Sequence, residues 1–165
     1  MEPNNNMKAV GLDCAVAHVQ PDGTYHYHGD MKEYAEQLLN GVSTGTVPSS
    51  AVKIGWASDG FPILYKYGPD ASGTLQKMTP SYQLKSGDRP GDGVSEPCDE
   101  YNGKYTNDYE FISGSGELDE CNGVANSVTL SRETFSYYYV ITDAFPVAPR
   151  CISGTPDSSF KKGAG

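Results

Sequence analysis

The chain has no apolar run approaching the ~18–20 residues that a membrane-spanning helix requires, so no membrane insertion is expected. It is also short of positive charge: 12 Lys and Arg stand against 21 Asp and Glu, for a net charge of −9. Binding a phosphate backbone needs a basic face, so nucleic acid is not an expected partner, and anionic membranes are disfavoured for the same reason. None of the four cysteines forms a C-x-x-C pair, which argues against zinc ribbons and thioredoxin-type motifs. The chain lacks a G-x-S-x-G elbow, a Walker A loop and an H-E-x-x-H helix, so it carries none of the common signatures of serine hydrolysis, nucleotide binding or zinc proteolysis. Met1 opens no signal-peptide pattern; the start, MEPNNNMK, reads as a polar lead-in, flexible over residues 1–10.

What is present suits one domain. A length of 165 residues is enough to bury a core. With 19 glycines and 11 prolines, many turns and short elements are expected. The fold class is read as mainly β, a β-sandwich or a β-hairpin-rich single domain, with one or two short helices and long loops. It should occupy residues 11–160 and leave 161–165 as a frayed tail. Cys14, Cys98, Cys121 and Cys151 are scattered and even in number, which fits two disulfides and an oxidising compartment. Three pairings are possible, with 121–151 plus 14–98 favoured. The alternative is four buried free thiols in a cytosolic protein.

One helix is legible. Asp30 and Glu33 stand in the D-x-x-E relation of a capping box, and Met31, Tyr34, Ala35, Leu38 and Leu39 form an apolar stripe at helical spacing, with Gly41 placed to end it. Strands are expected at Val52–Trp56, Ile63–Tyr67, Tyr82–Leu84, Tyr109–Ile112, Phe135–Thr142 and Val147–Ile152, which are rich in Tyr, Val, Ile and Phe and are separated by turn formers. Ser86–Asn107 reads as a long loop able to cover or rim a site.

The chemistry concentrates in one place. All three histidines fall within HVQPDGTYHYH, residues 18–28. Pro21 and Asp22 suit the central positions of a type I turn and Gly23 a left-handed position after it, giving a three-residue hairpin loop with a G1 bulge. Counting back from that loop pairs Gln20 with Thr24, Val19 with Tyr25 and His18 with His26. Opposed residues share a face, and His28 lies two beyond His26, so all three imidazoles gather on one side of one hairpin. Imidazoles so spaced can converge on a metal ion at about 2.0–2.1 Å. Zinc and copper are the natural ions for nitrogen ligands, whereas calcium prefers oxygen. The plain alternative is a polar hairpin face without a ligand. Tyr25 and Tyr27 alternate with the histidines and are expected to face the core.

The run AHVQPDGTYHYHG resembles the YHYH domain family, named for a motif present here as Tyr25-His26-Tyr27-His28. Three further segments fit the same pattern: GWASDGFPILYKYG at 55–68, GSGELDECNG at 114–123 and YYYVITDAFPVAPRCISGTP at 137–156. The resemblance covers about Gly11 to Phe160. It implies a secreted, periplasmic or cell-surface protein in which the histidines matter, and it supplies no reaction. Where the family pattern often repeats Tyr-His-Tyr before the ITD-FP stretch, this chain has Tyr137-Tyr138-Tyr139, so Tyr138 would replace a fourth histidine.

Four carboxylates are candidates to assist. Asp59 lies in Ser58-Asp59-Gly60-Phe61-Pro62, Asp13 precedes Cys14, and Asp119 with Glu120 precedes Cys121. Asp59, Asp119 and Glu120 are read as catalytic candidates, each suited to act as a general base on metal-bound water or to accept an imidazole N–H; an Asx turn is the ordinary role for Asp59. Arg89 and Arg150 are candidate anion contacts. The aromatic load, 12 tyrosines and Trp56, suits a small-molecule or glycan ligand, although most of it should be core. Three readings follow: a secreted three-histidine metal site serving a metal-dependent hydrolase, an extracytoplasmic copper or zinc binding or delivery protein, and a structural or adhesive surface or filament module without catalysis.

Overall fold

A computed structural model describes residues 11–21, 23–39 and 47–160. The lead-in 1–10, Asp22 of the hairpin loop, Gly41 and the tail 161–165 lie outside the described residues. The chain is mainly β, in its hairpin-rich form. A four-stranded sheet is built from β3 (Lys53–Trp56), β4 (Pro62–Tyr65), β9 (Gly123–Val124) and β12 (Tyr138–Ile141), in the order β3-β4-β12-β9. β4 and β12 run parallel, with Tyr139 opposite Ile63 and Ile141 opposite Tyr65, while both outer strands are antiparallel to their neighbours.

β12 sits at the centre and is buried along its whole length. Its alternation sends Tyr138 and Val140 into one cluster with Leu64, Met78, Leu118 and Val128. Ile141 packs on the other face with Ala35, Val52, Ile54 and Tyr65. Tyr139 joins Cys121 and Tyr137 in a third cluster. A period of two therefore divides one apolar strand between the two faces of the sheet. Around this sheet stand four two-stranded pairs: β1 (Ala17–Val19) with β2 (Tyr25–Tyr27), β5 (Tyr67–Pro69) with β6 (Leu75–Lys77), β7 (Tyr82–Leu84) with β8 (Tyr109–Phe111), and β10 (Val128–Leu130) with β11 (Glu133–Phe135).

Among the described residues there is one α-helix, α1 (Lys32–Leu38), and two short 3-10 turns. Ala35, Met31, Tyr34 and Leu39 pack on the sheet as the stripe requires, but Leu38 is exposed. The expected capping box does not form: Met31 takes the N-cap position without a side-chain bond. The Asp30 carboxylate instead pairs with the Lys66 ammonium at 2.9 Å, and Lys66 also reaches Asp143 at 2.6 Å. A buried lysine has more to gain from a carboxylate than an exposed helix end does from its cap, so tertiary charge pairing overrides the local signal.

The expected strand Ile63–Tyr67 is split at Lys66, whose left-handed φ of 59° redirects the chain from β4 into β5. Phe135–Thr142 breaks likewise into the end of β11 and all of β12. Val147–Ile152 is not a strand: after a cis Phe145–Pro146 bond, Val147 takes φ 64°, and the segment is tied down by the Cys121–Cys151 disulfide. β6, β9 and β10 carry weak apolar patterns and were not foreseen. The second disulfide is absent, since Cys14 and Cys98 are free thiols held in separate surface segments.

The long segment between β7 and β8 folds on itself. Its base closes through the Lys85 N–H to the Asp108 carbonyl at 2.8 Å. Inside, Arg89 donates to both Asp108 carboxylate oxygens at 2.7 and 2.8 Å, to the Cys98 carbonyl at 2.9 Å and to Asn102 at 2.7 Å. Asp108 is fully buried, and hydrogen bonding from Arg89 holds its carboxyl down at about 2. Arg89 is therefore the internal clasp of this loop rather than an anion contact.

Candidate metal centre

The hairpin β1–β2 forms in the expected register: Ala17 faces Tyr27, His18 faces His26 and Val19 faces Tyr25. The loop closes as its residues dictate. The Gly23 N–H donates to the Gln20 carbonyl and the Gln20 N–H to the Thr24 carbonyl, each at 2.9 Å, and Gly23 takes φ +87°. That is the hydrogen-bond pattern of a type I turn with a G1 bulge, and glycine meets the positive φ without steric cost. Ala17 is buried, and the His28 N–H donates to the Val16 carbonyl at 2.8 Å. Two residues beyond His28, the Asp30–Lys66 pair fixes the outgoing chain to the sheet.

The three imidazoles meet. His18 Nε2 is 3.1 Å from His26 Nε2 and 3.0 Å from His28 Nε2, and the ring centroids form a nearly equilateral triangle of 4.6, 4.7 and 4.6 Å. The contact is chemically awkward without a cation. A neutral imidazole nitrogen is either a donor or an acceptor, so His18 Nε2 cannot donate to one neighbour and accept from the other. Two nitrogens about 2.05 Å from a common ion and 3.0–3.1 Å apart subtend about 94–98° at it, nearer a right angle than a tetrahedral one, so His18 could share an ion with either neighbour. His26 Nδ1 lies 3.5 Å from the Thr24 carbonyl, which favours the tautomer with Nε2 free to ligate. Partial removal from water, followed by the neighbouring His26 and His18, lowers the pKa of His28 and favours its neutral, ligating form. His18 and His26 are half-buried and His28 is exposed.

Three of the four candidate carboxylates are engaged elsewhere, and the fourth, Glu120, is exposed. Asp59 accepts from Tyr139 Oη at 2.6 Å and from the Gly154 N–H at 3.0 Å, and its other oxygen accepts from the Phe61 N–H in an Asx turn. Asp119 accepts from Tyr137 Oη at 2.8 Å and from the backbone N–H groups of Cys121 and Gly123. Glu120 is exposed, and its carbonyl accepts from Tyr82 Oη. Asp13 caps the turn before β1 and accepts from Tyr25 Oη at 2.8 Å, on the hairpin face opposite the histidines. Among the described residues, the cluster able to hold an ion comprises the three histidines alone.

Tyr25 and Tyr27 do not enter the core. They are 47% and 37% exposed and stack edge to face at 5.6 Å, because the hairpin projects from the body and only Ala17 is covered. Tyr138 is fully buried in the central sheet and donates to the Pro69 carbonyl at 2.6 Å, a core position away from the hairpin. Arg150 lies over the Phe145 ring at 5.7 Å. Trp56 is half-exposed, packs against Phe135 at 5.3 Å and carries the Lys53 ammonium over its ring at 3.9 Å. Cavities of about 380 and 330 Å³ are lined by Gly93–Asp99 with Tyr105, and by segments around Ser50, Pro69 and Val128; neither includes a histidine. Sequence reasoning passed over Gln20 as a site residue, although strand alternation puts it on the histidine face. It also passed over the Asp30–Lys66–Asp143 network, for which no local pattern exists.

Fold and site together define a hairpin-rich β protein carrying a surface triad of converging imidazoles. The family model described as YHYH protein matches residues 1–154, and the chain belongs to that family. No curated protein and no solved structure matches it.

Proposed function

We propose that this protein is an extracytoplasmic metal-binding module whose β1–β2 hairpin captures one zinc or copper ion through His18, His26 and His28. The observation that carries the reading is the meeting of the three imidazoles at His18, whose Nε2 lies 3.1 Å from His26 Nε2 and 3.0 Å from His28 Nε2, a spacing that suits a shared ion and that neutral imidazoles do not readily adopt among themselves. Capture and exchange are favoured over hydrolysis. The site stands on a projecting hairpin, Asp59 and Asp119 are tied to tyrosines and backbone, and a hydrolase needs a base within hydrogen-bond reach of its water. The disulfide supports an oxidising compartment, and no helix among the described residues is long and apolar enough to cross a membrane.

The test is elemental mass spectrometry of untagged protein, with the His26→Ala/His28→Ala variant beside it. About one zinc or copper per chain, lost in the variant, is the expected result. No metal in either protein after incubation with excess ions at neutral pH refutes the reading.

A further inference from the structure

We propose that Gln20 is the fourth polar group of the histidine centre, and that its side-chain amide hydrogen-bonds a small anionic donor occupying the ion's open position. The inference rests on the metal reading above and deepens it by naming the class of outside ligand. Gln20 lies two residues beyond His18, one past the end of β1, where its N–H still pairs with the Thr24 carbonyl across the hairpin, so extended alternation keeps it on the histidine face. Its backbone is fixed on both sides, donating to the Thr24 carbonyl and accepting from the Gly23 N–H. Its amide nitrogen stands 3.4 Å from His26 Nδ1 and 3.5 Å from His26 Nε2. Such nearly equal distances place the amide across the ring rather than in a directed bond to either nitrogen.

His26 Nδ1 faces the Thr24 carbonyl, and Nε2 is turned toward the other imidazoles. With Nε2 committed to an ion, the ring offers the amide no acceptor, and the N–H groups of Gln20 remain for a group arriving from solvent. Three protein ligands would leave a position on the ion for an outside donor, on the hairpin face that Gln20 shares. A neutral amide donor matters in a chain of net charge −9, whose field opposes an arriving anion. The donor class is therefore a carboxylate, halide or pseudohalide that binds the ion through one atom and accepts the amide N–H.

The experiment uses cobalt(II) in the full-length protein, with azide as the probe anion and visible absorption as the readout. The wild-type protein should show the bands of a four-coordinate ion and shift them saturably with azide. Gln20→Leu should still take up cobalt with its visible bands and bind azide roughly three- to ten-fold more weakly, the loss of one net hydrogen bond. Equal azide affinity in the two proteins overturns the proposal while leaving the metal reading standing. Loss of cobalt itself in Gln20→Leu overturns it too, since Gln20 would then be a ligand. Failure of the wild-type protein to bind cobalt removes the metal reading and this inference with it.

Discussion

Replacing Asp108 by Asn keeps the shape of the side chain but removes its charge and turns one of its two accepting oxygens into a donor, which makes it a sharp probe of the clasp between β7 and β8. Asp108 is fully buried, and the Arg89 side chain facing it is 3% exposed. The two N–H···O bonds at 2.7 and 2.8 Å form a bidentate pair, and the Tyr105 N–H adds a third donor at 3.2 Å. In Asp108→Asn the guanidinium stays buried against a neutral amide, and breaking a buried pair in this way costs about 3–5 kcal/mol. For a chain of this length each kcal/mol moves Tm by about 2–4 °C, so a fall on the order of 10 °C is expected at neutral pH. Circular dichroism on heating measures it. The wild-type protein should also be acid-sensitive in a defined window. The Asp108 carboxyl is held at about 2 when folded, below its ordinary value of ~3.9, so its contribution is complete above the ordinary value and fades as pH falls toward 2. Asp108→Asn should lack that part of the acid dependence. The double variant Arg89→Met/Asp108→Leu removes both charges together but also the bonds to the Cys98 carbonyl, Asn102 and the Tyr105 N–H, so it should recover only part of the loss. A Tm change below 2 °C in Asp108→Asn would refute the assignment of this pair as the clasp.

Two further outcomes follow from the geometry. Gly23→Ala puts a side chain at φ +87° in the hairpin loop, where space is open but the conformation is strained; a loss of about 1 kcal/mol and weaker metal binding are expected, read by denaturant unfolding and by competition with a chelating dye. Cys121→Ala/Cys151→Ala opens a crosslink spanning 30 residues, for which chain entropy gives about 3–4 kcal/mol; a denaturation midpoint unchanged from wild type would show that the disulfide does not hold the Val147–Ile152 segment in place.

The hairpin and its histidines were legible in the sequence because everything that builds them is local. Pro21 and Gly23 set the loop, the loop sets the register, and a strand period of two then puts His18, His26 and His28 on one face. The mainly-β class was legible as well, whereas the cysteine pairings stayed open until the structure joined Cys121 to Cys151 and left Cys14 and Cys98 free. What alternation could not say is whether the opposite face would be covered. Tyr25 and Tyr27 look like core residues by type, yet they are exposed because no other element of the described structure packs over them.

Tertiary structure decided the rest, for one recurring physical reason: a polar side chain goes to the partner that best offsets its loss of water, and that partner lies at a distance in sequence that local patterns do not encode. Asp30 left its helix end for the buried Lys66, Asp59 and Asp119 went to Tyr139 and Tyr137, and Arg89 went to Asp108. Sequence by itself determined where an ion can be held. Only the folding decided that, among the described residues, Asp59 and Asp119 are held by tyrosines and backbone away from the three histidines.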